Sequence, residues 1–130
     1  MPNLPYVAIV TLLALLEFMI LGGAVGRARA KYGIKAPATT GNEIFERHFR
    51  VHYNTLEQLI VFLPSLWLFA IYISDRWSAI LGAVFIVSRI LYAIGYVNEP
   101  RKREMGSIAG VAAIAVLLLG ALYGAIRTLL

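Results

Sequence analysis

Glu46, Arg50, Asn54 and Glu57 follow one another at spacings of four, four and three, which puts acid, base, amide and acid on one helix face. They belong to the segment 45–62, FERHFRVHYNTLEQLIVF, whose charged start runs without a break into sequence apolar enough for a bilayer interior. Ionisable groups at that depth are costly and turn toward a bundle interior or a cavity. Such a face either grips a charged ligand or forms a self-satisfying polar seam that locks helices together. Arg89, Tyr92 and Tyr96 repeat the pattern at spacings of three and four. An Arg deep in a spanning helix costs roughly 2.5–3.5 kcal/mol on insertion scales unless it is paired. Glu57 is the expected structural partner of Arg89, since both lie several residues inside the ends of their helices on the same side. Tyr92 and Tyr96 either offer hydroxyls to a ligand or sit in the aromatic belt at the membrane interface.

Three further features carry a double reading. Arg103 lies in the short basic run NEPRKREMG, which either sets topology or walls the mouth of the polar seam with positive charge. Glu17, alone in the first apolar stretch, either meets another polar helix face or acts as a coupling carboxylate in a transporter. His48 and His52 are four apart, a metal-ligand spacing, but no convincing third ligand accompanies them and no metal is expected. The chain has no cysteine, so disulfides and thiolate metal sites are excluded. Any thiol chemistry must use a thiol that a ligand brings.

These residues are positioned by helices made for lipid. Of 130 residues, 60% are hydrophobic and 15% charged, and the mean hydropathy is +0.76, which describes an integral membrane protein rather than a soluble domain. Four spanning helices are expected, at about 4–26, 43–73, 76–98 and 105–128, forming one all-α membrane-embedded four-helix bundle over residues 1–130. The first apolar run has no basic leader or small-residue cleavage site and does not read as a signal peptide. Asn42 is a plausible N-cap with Glu43 and Glu46 in the turn that follows, Pro64 lies inside the second helix and should kink it, and Pro100 ends the third. Small residues in the 110–124 region suit close helix contact. The net charge of +5 reflects Lys and Arg gathered in loops on one side of a bilayer, not a nucleic-acid surface. By the positive-inside rule, loops 26–42 and 98–106 are cytoplasmic, in a bacterial inner membrane or one of endoplasmic-reticulum type.

The run FERHFRVHYNTLEQLIVFLPSLW resembles the signature of the MAPEG superfamily, membrane-associated proteins of eicosanoid and glutathione metabolism. Its pattern E-R-x-x-R-x-(H/Q)-x-N-x-x-E is met by Glu46, Arg47, Arg50, His52, Asn54 and Glu57. ATTG before it and SRILYAIGY after it resemble the branch that holds cysteinyl-leukotriene synthase and microsomal glutathione transferase type 2. The similarity covers about residues 25–105. It implies a four-helix protomer, a homotrimer, and glutathione as co-substrate bound between neighbouring subunits near the cytoplasmic side. By position, Arg50, His52, Asn54, Glu57, Tyr92 and Tyr96 would contact glutathione, Arg29 would bind a carboxylate, and Arg103 would be the catalytic residue that stabilises the thiolate. Glutathione is a net anion with two carboxylates and one ammonium, to which several Arg and a Glu are complementary. A cation beside its sulfur favours the nucleophilic thiolate.

Two departures bear on the substrate. Gln58 stands where the leukotriene branch often has Tyr, and Ala30 where it has a second Arg. Both favour a general transferase, or a peroxidase acting on lipid hydroperoxides, over epoxide opening on a leukotriene precursor. The expected partners are membrane lipid, glutathione and a hydrophobic electrophile. A non-enzymatic membrane scaffold and a small four-helix exporter using Glu17 are the competing classes.

Overall fold

Pro5 opens the first helix, where its fixed φ suits the first turn and its missing N–H costs nothing. This helix, α1, runs from Pro5 to Tyr32 and is followed by α2 (Glu43–Tyr72), α3 (Asp75–Asn98) and α4 (Arg103–Arg127). The computed structural model describes residues 3–99 and 103–130, with side chains described for 3–99 and 107–130. All four helices are long and apolar enough to cross a membrane.

The first helix does not stop near residue 26. Arg27, Arg29 and Lys31, expected in a loop, lie on α1, because Arg, Ala and Lys are strong helix formers. Gly33 ends the helix at φ 67°, a left-handed turn that any side chain would strain, and its N–H bonds the Arg29 carbonyl.

Capping sets the other boundaries. Asn42 Oδ1 accepts from the N–H groups of Ile44 and Phe45 at 2.9 and 3.0 Å, so it caps α2 as its residue type suggests. Ser74 Oγ accepts from Trp77 N–H at the start of α3. Asp75, the next residue, reaches across to the first turn of α1 and accepts from the N–H groups of Tyr6 and Val7 at 3.3 and 2.9 Å. Leu4 supplies no side-chain cap there, and a carboxylate on α3 does so in its place.

The helices α2 and α3 pack on each other, and each also contacts both α1 and α4. On α2 the buried face reads Leu59, Phe62, Leu66, Phe69, a helical spacing aimed at the core. Phe62 stacks on Phe85 of α3 at 3.9 Å between ring centroids. Glycines make the close approaches possible. A Cβ on Gly82 would sit 2.5 Å from Val10 Cγ1, and one on Gly120 would sit 2.5 Å from the Phe69 ring. With Gly110 against Ser88 and Gly124 against Tyr72, the small residues of α4 form its packing face, the way membrane helices gain van der Waals contact. The outward faces are apolar: Leu12, Met19, Ile60, Ile108 and Leu119 are among the exposed side chains.

Candidate functional site

The charged residues of α2 gather at its N-terminal end, beside the C-terminal ends of α1 and α3. Thr39 and Thr40 of the preceding loop, Glu43, Glu46, Arg47, Phe49 and Arg50 of α2, and Tyr96 of α3 line a pocket of about 360 Å³. Three of its charges hold the framework together. Arg47 Nη2 pairs with Glu43 at 2.6 Å, and its Nη1 donates to the Val97 carbonyl at 3.0 Å, tying α2 to the last turn of α3. Glu46 accepts from the Gly41 N–H at 3.3 Å. Arg50 is exposed and has no hydrogen-bond or ion-pair partner among the described residues, so its guanidinium is available to an anion.

One helical turn deeper, Asn54 Nδ2 donates to the Tyr92 hydroxyl at 2.7 Å. Tyr92 is 4% exposed and stacks on Tyr96 at 5.6 Å. The structure therefore brings together Arg50, Asn54, Tyr92 and Tyr96 along one line from the pocket into the bundle. Glu57 continues that line on α2 and is exposed, as are Glu46 and Arg50. The polar face of α2 thus opens outward from the protomer.

The expected pairing of Arg89 with Glu57 does not occur. Arg89 is 4% exposed, and its Nε and Nη2 donate to Thr55 Oγ1 at 3.2 and 2.7 Å. The Thr55 hydroxyl in turn donates to the Val51 carbonyl at 2.7 Å, which fixes its lone pairs toward the guanidinium. Arg89 also lies over the Tyr92 ring, 4.0 Å from its centroid. The physical reason is azimuth. Glu57 is two residues beyond Thr55, about 200° around the helix, so similar depth does not bring it to α3. Thr55 was missed as a partner, although a hydroxyl in the apolar stripe of Val51, Leu59 and Phe62 was its signal.

Three other residues sit apart from the pocket. Arg29 donates to the carbonyls of Ala38 and Ile34 at 2.8 and 3.4 Å and lies 4.8 Å over the Phe45 ring, so it clamps the loop that follows α1. His52 faces α1, stacked on Phe18 at 4.4 Å with its ring against Gly22. Glu17 lines a groove with Arg89 between α1 and α3, and both its oxygens are buried without a hydrogen bond among the described residues. Arg103 begins α4, but its side chain lies outside the described residues. No cluster of metal-ligating side chains occurs among the described residues.

The arrangement suits a small, charged, flexible ligand: free Arg at the mouth, acids and hydroxyls around it, amide and phenols inside. Comparison with known proteins gives the same direction. An uncharacterized protein of Synechocystis sp. is 56% identical over 115 residues, 88% of this chain and 84% of the relative. Human microsomal glutathione S-transferase 2 is 40% identical over 99 residues, 75% and 67% of the two chains. Leukotriene C4 synthase of Cavia porcellus is 33% identical over 117 residues, 90% and 78%. Residues 7–123 match the model of the MAPEG family, and with these relatives along most of its length the chain belongs to that family.

Proposed function

We propose that this protein is a membrane glutathione transferase that activates the glutathione thiol for attack on hydrophobic electrophiles. The observation that carries the reading is the polar pocket at the head of α2, lined by Arg50, which has no partner among the described residues, and by Tyr96, beside the Asn54–Tyr92 hydrogen bond. Arg50 would take a glutathione carboxylate, Glu57 or Glu46 its ammonium, and Asn54 and the two tyrosines its peptide groups. Arg103, next to the pocket in the family pattern, would hold the sulfur as thiolate. The thiolate attacks an electrophilic carbon, a C–S bond forms, and the leaving group departs with its electron pair. The electrophile, being apolar, would arrive from the lipid.

The outward face of Glu46, Arg50 and Glu57 supports a second element of the reading. Charges cannot be left against lipid, so this face would meet a neighbouring subunit, and a homotrimer with the pocket at its contacts satisfies that need. His52, stacked on α1, and Arg29, on α1 against the loop that follows it, would then serve a neighbour's site. The basic loops would place the pocket on the cytoplasmic side.

Thiolate difference absorbance on adding glutathione to purified protein tests binding and activation together. A rise in thiolate absorbance is expected at neutral pH, lost in Arg103→Ala while that variant still binds glutathione by calorimetry. Absence of binding in the parent protein would sink the transferase and leave a scaffold. With glutathione bound, turnover of a hydrophobic aryl halide against a fatty-acid hydroperoxide separates conjugation from peroxide reduction.

A further inference from the structure

On the α1 side of the bundle, away from the polar pocket, three grooves run into one another. The largest of the three, about 450 Å³, lies between α1 and α3 and has almost wholly apolar walls. It shares Leu21, Ala93 and Ile94 with a second groove of about 290 Å³. That one shares Ala24 and His48 with a third, of about 190 Å³, at the basic end of α1.

Sequence register shows why they join. Leu13, Leu16, Ile20, Ala24, Arg27 and Lys31 are spaced three, four, four, three and four, one stripe along α1. The stripe is apolar for its first half and basic at its end, over on the order of 27 Å of helix. Glu17 does not break the apolar surface, because both of its oxygens are buried. At the basic end Arg27 and Lys31 are exposed, His48 of α2 closes the floor, and no acid among the described residues lines either groove there.

A wall that changes from apolar to cationic along a membrane-spanning helix has the chemistry of an amphiphile with an anionic head. We propose that this groove binds an anionic membrane phospholipid. Its phosphate sits between Arg27, Lys31 and His48, and one acyl chain lies between α1 and α3 as far as Leu16 and Ile90. Basic pockets at the ends of spanning helices hold such headgroups by charge, and the side chains of Ile20, Ile90 and Ile94, all exposed in the protomer, gain acyl contacts. The site is separate from the pocket at Arg50 and does not rest on the transferase reading.

Native mass spectrometry of the protein released from nanodiscs of mixed phosphatidylglycerol and phosphatidylcholine tests it. Phosphatidylglycerol adducts should survive preferentially, and Arg27→Gln with Lys31→Gln should reduce that preference by roughly thirtyfold. Ala93→Phe, which fills the chain groove, should remove adducts of both lipids. Inorganic phosphate should not compete, because it lacks the chain. The proposal falls if the parent protein shows no headgroup preference, if the double variant keeps it, or if phosphate alone displaces the lipid. It also falls if Leu16→Cys, in a chain otherwise free of cysteine, crosslinks efficiently between protomers, since the groove would then be a subunit contact.

Discussion

The two ends of the bundle are built on opposite terms. From the middle of the bundle to the α2–α3 turn, aromatic rings and glycines close the helix contacts: Phe62 lies on Phe85, Gly120 against Phe69, and Asp75 ties the start of α1 to that turn. At the other end, pockets open beside the charged first turns of α2 and the basic last turn of α1. The lesson is a division of labour. Arg50 can stand exposed at one end because packing in the rest of the bundle holds the helix that carries it.

That contrast can be broken first at its packed end. Phe62→Ala should cost on the order of 3 kcal/mol of stability through the cavity it leaves, read as a lower thermal unfolding midpoint in detergent. If unfolding were unmoved, the aromatic stack would not be what holds α2 and α3. Arg50→Ala should do the reverse. Calorimetry should show glutathione binding weakened by about tenfold or more, as expected for a lost charge-assisted hydrogen bond, while stability stays within about 0.5 kcal/mol. Equal losses of stability in both variants would erase the distinction between the ends. Thr55→Val lies between the two regions and sharpens their border. It removes the hydroxyl that receives Arg89 without changing shape, and should destabilise by about 1–3 kcal/mol. A loss of glutathione affinity larger than this loss of stability would mean that Arg89 also positions Tyr92 for the ligand.

Much of this was legible in the residue string. Four apolar stretches, Asn42 as a cap, and the small residues of α4 each follow from local chemistry that the surroundings do not override. The constellation of Arg50, Asn54, Tyr92 and Tyr96 was legible for a similar reason, since helical spacing puts each set on one face. Helix-to-helix pairing was not. Matching Glu57 to Arg89 used depth alone, whereas contact also needs the right rotation about the axis, and only packing sets that. The end of α1 was misplaced because Lys and Arg mark a membrane boundary without marking a helix boundary. Here the helix continues as far as Gly33.

The carboxylate of Asp75 has a further consequence for how the chain is assembled. Tyr6 and Val7 carry the first backbone N–H groups of α1, yet the group that receives them is made 69 and 68 residues later. During synthesis the start of α1 must therefore rely on water at the membrane surface until the α2–α3 hairpin has arrived. The start of α1 is thus capped only once the start of α3 lies beside it.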